Sequence, residues 1–288
     1  MAIQEKSFEL ITHHKKKRSL WIDIVAVAVA IVVFIVPLTF IFLQASKTQH
    51  EAYFLNYSLP SHWNLFKNFH DLFVSSNGIV KIATINTLLV TFFSVTILVF
   101  ISGMAGYVIA RKRSRVTRVA NFSVLSALIV PPAIVPTIWV LQKLHLFRTI
   151  EGLILVEVTY GMAFAILLFR NFMGSIPREL DEAAIVDGCS GWRLYFKVIF
   201  PLLRPVTITI IIISTVGIFN DFANPLYFLP GRAGATLQLT LYNFQGQFYS
   251  QWNLLFTDIL YITIFPLIAF AFFNRKIVEG ITAGSVKG

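Results

Sequence analysis

The chain has 288 residues, 56% of them hydrophobic and 13% charged, where a soluble domain carries roughly 25% charge. That balance excludes an ordinary soluble domain and points to an integral membrane protein. The lone cysteine, Cys189, excludes an internal disulfide framework and a cysteine-built zinc cage, and the net charge of +10 matters through where the cations sit rather than through its sum.

Residues 1–19 form a basic arm that includes "HHKKKR", in which His13 and His14 belong to a solvated segment and not to a metal site. Six apolar runs follow, each close to the roughly 20 residues that a helix needs to cross the hydrocarbon layer. They cover 20–43, 82–110, 119–141, 152–169, 206–222 and 254–273. The first exceeds the apolar core of a signal peptide, about 7 to 15 residues, and is read as an uncleaved span. The third contains Pro131, Pro132 and Pro136, and proline inside a helix removes a backbone bond and kinks the axis. A fixed kink is the simpler role, a hinge the alternative.

With the N-terminus in the cytoplasm, eighteen Lys and Arg fall inside and six outside. The inside set comes from the arm, from "RKRSRVTR" (111–118), from 170–204 and from the tail. This fits the positive-inside rule and places both termini in the cytoplasm. The 111–118 loop can attract anionic lipids, and topology explains its charge without nucleic acid.

The loop between the fourth and fifth runs, "NFMGSIPRELDEAAIVDGCSGWRLYFKVIFPLLRP" (171–205), carries its own punctuation. Ser175 can cap a first helix, Pro177 suits a first turn, and Glu179, Asp181 and Glu182 favour the positive end of a helix dipole. Gly188 can end that helix in a left-handed conformation. Ser190 can cap a second helix bounded by Pro201. Ala183 and Ala184 leave a patch almost without side chain, beside Glu182. Spacing alone leaves two readings, an amphipathic surface loop or a docking element.

Glu182, Ala183, Ala184, Gly188 and Pro201 resemble the Glu-Ala-Ala loop of ABC-importer permeases. Val198 and Phe200 stand where that pattern has Ile and Leu, and both keep the position apolar. "FFNRKIVEGITAGSVKG" (272–288) is similar to the C-terminus of the smaller permease of maltose-type transporters, and "FNDFANPLYFL" (219–229) to a pattern of the same group. The resemblance implies an all-α, six-span, type I importer permease of the bacterial inner membrane. It implies one domain over 1–288, with a core bundle at 82–273, a coupling loop at 171–205 and a cytoplasmic tail at 274–288. Glu182, Ala183, Ala184, Asp187, Gly188 and Pro201 would couple to a separate ATPase dimer, and Gly284, Lys287 and Gly288 would reach it from the tail. A second permease subunit would complete a heterodimer carrying a sugar or oligosaccharide delivered by an extracytoplasmic solute-binding protein. This chain has no Gly-rich phosphate loop followed by Lys-Ser or Lys-Thr, so ATP and magnesium are expected in the partner ATPase and no cofactor here.

Ionisable residues within spans call for a reason. Asp23 lies at a span end near water. Glu157, Asp221 and Asp258, with Asn86 and Asn220, fall towards the outer side in the orientation above. Together with Asn224 and Tyr227 they can line an outward cavity, where amides and carboxylates meet sugar hydroxyls and Tyr227 or Trp252 stacks on sugar faces. They can equally reach headgroups and water, or cap helix ends. A membrane enzyme lacks a nucleophile–base pair or metal cluster here. An ion-driven secondary transporter would use Glu157 or Asp258 as its proton site, but no inverted repeat is evident.

Overall fold

The structure is a computed structural model that describes residues 20–244 and 251–285. Every regular element among them is helical. Helix α1 (Leu20–Ala30) passes through a π-helical turn, Ile31–Ile35, into α2 (Val36–Ser46). Its Ile31, Val32, Val33 and Phe34 side chains are more than half exposed. A helix that is apolar all round and uncovered by protein suits a lipid-facing position.

A polar knot secures the end of α2. Lys47 is fully buried, and its ammonium donates to the Asn56 carbonyl at 2.7 Å and to Asn56 Oδ1 at 2.9 Å. Asn68 donates to the Ala45 and Lys47 carbonyls and accepts from Asn253, which joins three distant segments. Thr48 and Glu51 form a capping box on the short helix α3 (Gln49–Ala52), and Glu51 also accepts from the Ser61 amide at 2.9 Å. Hydrogen bonding from Ser61, then from Thr48, pulls the Glu51 pKa from 4.5 down to about 2. A carboxylate held below its unfolded value stabilises the fold above that value, and the contribution disappears as pH falls through the folded one. The expected result is a thermal midpoint insensitive to Glu51 titration above pH 4.5, and a lower midpoint for Glu51→Gln at neutral pH.

Helix α4 (Leu65–Arg111) is the longest element. Asn77 (φ 55°) and Gly78 (φ 75°) interrupt its right-handed path, a conformation these two residues tolerate best. The apolar, spanning part runs over Asn77–Arg111 and begins before the predicted 82. A Ser114–Thr117 capping box starts α5 (Arg115–Ile129). The third apolar run is not one helix: α5 stops before Pro131 and Pro132, and α6 (Ile134–Lys143) restarts the path. Pro136 sits in the first turn of α6, where a missing N–H costs nothing, so only the first two prolines break the run.

Helix α7 (Ile150–Met173) is capped by Thr149, which accepts from the Gly152 amide at 3.0 Å. It packs along α4. A Cβ on Gly106 would lie 2.6 Å from Phe169 Cβ and 3.0 Å from the Arg170 amide nitrogen; small residues let two membrane helices approach this closely. The resulting core runs through Leu98, Val99, Ala165, Phe169 and Met173 into Tyr195, Ile199 and Leu203.

The next part of the chain holds α8 (Glu179–Val186), α9 (Gly191–Leu194), a π-helical turn at Tyr195–Ile199, α10 (Phe200–Leu202) and α11 (Arg204–Phe219). The piece Gly191–Leu202 meets α11 at 77°. The corner comes at Leu203, two residues beyond Pro201. Helices α12 (Ala223–Phe228) and α13 (Leu237–Thr240) then lead to α14 (Trp252–Ser285), which contains Pro266. Among the described residues, Trp21–Ser46, Asn77–Arg111 and Ile150–Met173 are long and apolar enough to cross a membrane. The bent pair makes a fourth, and Trp252–Ile268 is a shorter apolar helix.

Candidate functional site

The 171–205 loop is built around a buried ion pair. Arg111, the last residue of α4, points its guanidinium at Asp181 in the first turn of α8. Nε donates to Oδ2 at 2.7 Å and Nη2 to Oδ1 at 3.2 Å. Nη2 also donates to the Ile176 carbonyl at 3.0 Å. Both side chains are close to nine-tenths buried. A bidentate guanidinium–carboxylate pair adds geometric specificity to charge, so the clamp fixes the loop to the end of α4.

The local capping differs from the sequence expectation. Arg178, not Ser175, takes the N-cap position of α8, with no side-chain cap bond. Ser175 instead donates to the Phe172 carbonyl at 2.7 Å. Gly188 does adopt the left-handed conformation, with φ 81°, and its amide donates to the Ile185 carbonyl at 3.0 Å. Ser190 starts α9 without a side-chain cap bond.

Glu182, Ala183, Asp187, Gly188 and Pro201 are exposed. Ala184 is not: it is 7% exposed and packs with Leu194 and Tyr195 in the protein's own core. The small patch therefore consists of Ala183 alone. Beside it, Ile185 (56% exposed) and Val186 (86%) present aliphatic surface, and Trp192 stands out of the fold, stacked on Phe196. These apolar residues complete a handle that a partner can grip, and the sequence pattern did not single them out.

At the opposite end of α7, the polar residues divide. Asn224 donates to Glu157 at 3.1 Å, and the Asp221 carboxyl comes within side-chain hydrogen-bonding reach of Glu157. Asp221 also accepts from the Ala223 and Asn224 amides, which starts α12. Asn220 closes α11, donating to the Val216 carbonyl and accepting from Gln238. Tyr227 is 44% exposed. Asn86 is buried and donates to the Ala233 and Ala235 carbonyls, so it fastens a loop. Asp258 is fully buried and accepts from Thr240 at 2.6 Å. The structure thus brings Glu157, Asp221 and Asn224 together and keeps Asn86 and Asp258 apart from them. Gly284 lies in α14; Lys287 and Gly288 lie outside the described residues.

A groove of about 510 Å³ lies between α4, α10 and α11. Thr91, Thr207 and Thr215 line it together with the rings of Phe92, Phe100 and Phe200. The Phe100 and Phe200 rings stack at 5.6 Å. The Thr91 and Thr207 hydroxyl oxygens are buried and make no hydrogen bond within the described residues. The accessible lining is therefore almost wholly apolar, a surface suited to aliphatic groups or to ring faces rather than to hydroxyls.

Residues 102–279, from the end of α4 through the loop and into α14, match the family of binding-protein-dependent transport system inner membrane components. The chain belongs to this family. The probable starch degradation products transport system permease protein AmyC of Thermoanaerobacterium thermosulfurigenes is 32% identical over 254 residues, 87% of this chain and 91% of that protein. The melibiose/raffinose/stachyose import permease protein MelC of Bacillus subtilis is 30% identical over 207 residues, 71% and 75% of the two chains. A solved bacterial ABC transporter involved in the import of the acidic polysaccharide alginate superposes with a TM-score of 0.76 at 21% identity. That alignment covers 91% of this chain and 98% of its counterpart, and the likeness is one of fold. In this inner membrane component, α4 is the shared element, since it carries the clamp at its end and borders the groove along its length.

Proposed function

We propose that the chain is one permease subunit of an ATP-driven importer for a sugar or oligosaccharide, and that it forms half of the translocation pathway. The observation that carries the reading is the Arg111–Asp181 clamp, which ties the exposed handle at 182–192 to the helix that borders the Thr91–Phe92 groove. Relatives named for starch products and for melibiose, raffinose and stachyose support a carbohydrate. Six spans follow if the broken α5–α6 run and the bent α10–α11 run each cross once. The cation distribution then places the handle, both termini and the 111–118 loop in the cytoplasm. A separate ATPase dimer binds ATP and magnesium and grips Glu182, Ala183, Asp187 and Gly188, with Ile185, Val186 and Trp192 as its apolar anchors. Ala184 supports the handle from within, the exposed Pro201 lies at its far end, and Gly284, Lys287 and Gly288 reach the ATPase from the tail. A second permease completes the pathway, and a solute-binding protein delivers the sugar to the outer face. Glu157, Asp221, Asn224 and Tyr227, with Asn220, line the outer mouth, and Asn86 holds the adjoining loop in place.

Vesicles containing the assembled transporter test this reading. Uptake of radiolabelled oligosaccharide should require ATP and survive collapse of the ion gradients; uptake driven by a proton gradient without ATP would sink it. Gly188→Val forces a side chain into left-handed backbone at a cost of about 1–2 kcal/mol, although nothing lies within 4 Å of the new Cβ. Uptake should fall while the complex still hydrolyses ATP. Replacing both Thr91 and Thr207 by Val removes two hydroxyls while nearly keeping shape. The thermal midpoint should hold or rise, because each hydroxyl is buried without a partner and Val removes that desolvation penalty, with ATPase association unchanged.

A further inference from the structure

A second cavity, of about 550 Å³, opens at the handle end between α4, α5 and α7. Lys112, Arg113, Arg118 and Arg170 line it, and no carboxylate does. Among the described residues none of these four cations takes part in an ion pair. Arg111, one residue away, is the cation that Asp181 neutralises. The Arg170 guanidinium is held across the cavity wall by Asn121 on α5, so one charge is fixed in place. The other three sit on the short turn and the first helical turns of α5. Ile109 and Ala110 give the floor an aliphatic part. On α5, Val116, Val119 and Phe122 are 76%, 65% and 71% exposed, and at about 100° per residue they face away from the side that Thr117, Arg118 and Asn121 turn to the cavity.

We propose that this cavity binds a phosphate group. Four unneutralised cations around one concave site of this size fit a multiply coordinated oxyanion, and guanidinium forks match phosphate oxygens two at a time. Two sources carry that chemistry: the headgroup of an anionic phospholipid, or a soluble phosphate compound. The cavity's place at the end of the spanning part of α4 favours the lipid, because basic pockets between membrane helices recognise anionic headgroups. The orientation proposed above decides only which leaflet supplies the lipid, so ATP-driven uptake and phosphate binding can fail independently.

The test uses the assembled transporter, purified in mild detergent and examined by native mass spectrometry, then placed in nanodiscs of pure phosphatidylcholine or with phosphatidylglycerol added. The variant is Arg113→Gln with Arg118→Gln; Arg193→Gln with Lys197→Gln, two exposed cations outside the cavity, controls for net charge. A phospholipid source predicts retained phosphatidylglycerol and a higher thermal midpoint in its presence, with affinity falling about tenfold or more in the cavity variant and unchanged in the control. A soluble source predicts instead that inorganic phosphate raises the midpoint in phosphatidylcholine nanodiscs, again only with the two arginines present. Equal responses of the cavity variant and the control would overturn the site. So would protection of Arg113 and Arg118 from chemical modification by the ATPase alone, with no response to lipid or phosphate.

Discussion

Asp181→Asn is expected to cut ATP-driven uptake sharply while the chain still reaches the membrane. Asp181 and Arg111 are both close to nine-tenths buried, so removing one charge leaves the other desolvated and unpaired. Breaking a buried pair in this way costs about 3–5 kcal/mol, far more than the loss of an exposed pair, about 0–1 kcal/mol. The cost falls on one joint, because the same guanidinium also holds the Ile176 carbonyl. The handle then moves without α4. Uptake should fall steeply, whereas ATP hydrolysis continues and loses its dependence on substrate. Arg111→Gln should behave alike. The exchanged pair, Arg111→Asp with Asp181→Arg, restores part of the uptake if the pair acts as a joint. Unchanged uptake in Asp181→Asn would remove the clamp from the mechanism.

The second large effect concerns the α4–α7 contact. Gly106→Leu places a side chain where even a Cβ meets Phe169 Cβ at 2.6 Å and the Arg170 backbone. Neither neighbour is the free end of a side chain, so the helices must part. Overpacking of a tight core costs about 1–3 kcal/mol, occasionally more, and Leu exceeds the small end of that range. The variant should yield little folded protein by fluorescence-detected size exclusion. A graded series checks the cause. Gly106→Ala should lower the thermal midpoint clearly. Gly103→Ala should cost less, because its nearest neighbour is the Tyr195 hydroxyl at 2.6 Å, the tip of a side chain. Gly217→Ala, with nothing within 4 Å, should be neutral or stabilising, since Ala favours a helix interior over Gly. Equal effects at all three would mean that backbone freedom, not packing, governs the contact.

The local signals in the sequence translated well into structure. Gly188 is left-handed and three acids occupy the first turn of α8 because both follow from the chain's own backbone, with no distant partner needed. The all-helical fold followed from the apolar runs for the same reason. What composition and spacing could not supply was registry between segments. Asp181 looked like one of three dipole acids, and only the fold brings Arg111, 70 residues earlier, onto it. Helix α8 starts at Arg178 rather than at Ser175, whose hydroxyl bonds back to the Phe172 carbonyl instead. Ala184 resembled its neighbour Ala183 in sequence but faces the core. Thr91 and Thr207 were invisible within apolar runs, where most Thr hydroxyls bond back to their own helix, as Thr84 and Thr96 do. Asn86 and Asp258 were polar groups in spans, as expected of pathway residues, yet each is engaged by neighbouring structure.

The corner at Leu203 is not a free joint. The piece Gly191–Leu202 joins α11 at 77°, yet Leu194, Tyr195, Ile199 and Leu203 lie in one buried core with Leu98, Phe169 and Ile210. Interiors packed this closely transmit strain rather than yield to it. A push on the exposed Trp192 end therefore loads that piece, α11 and α7 as one rigid body, and bending at the corner would first have to open that core.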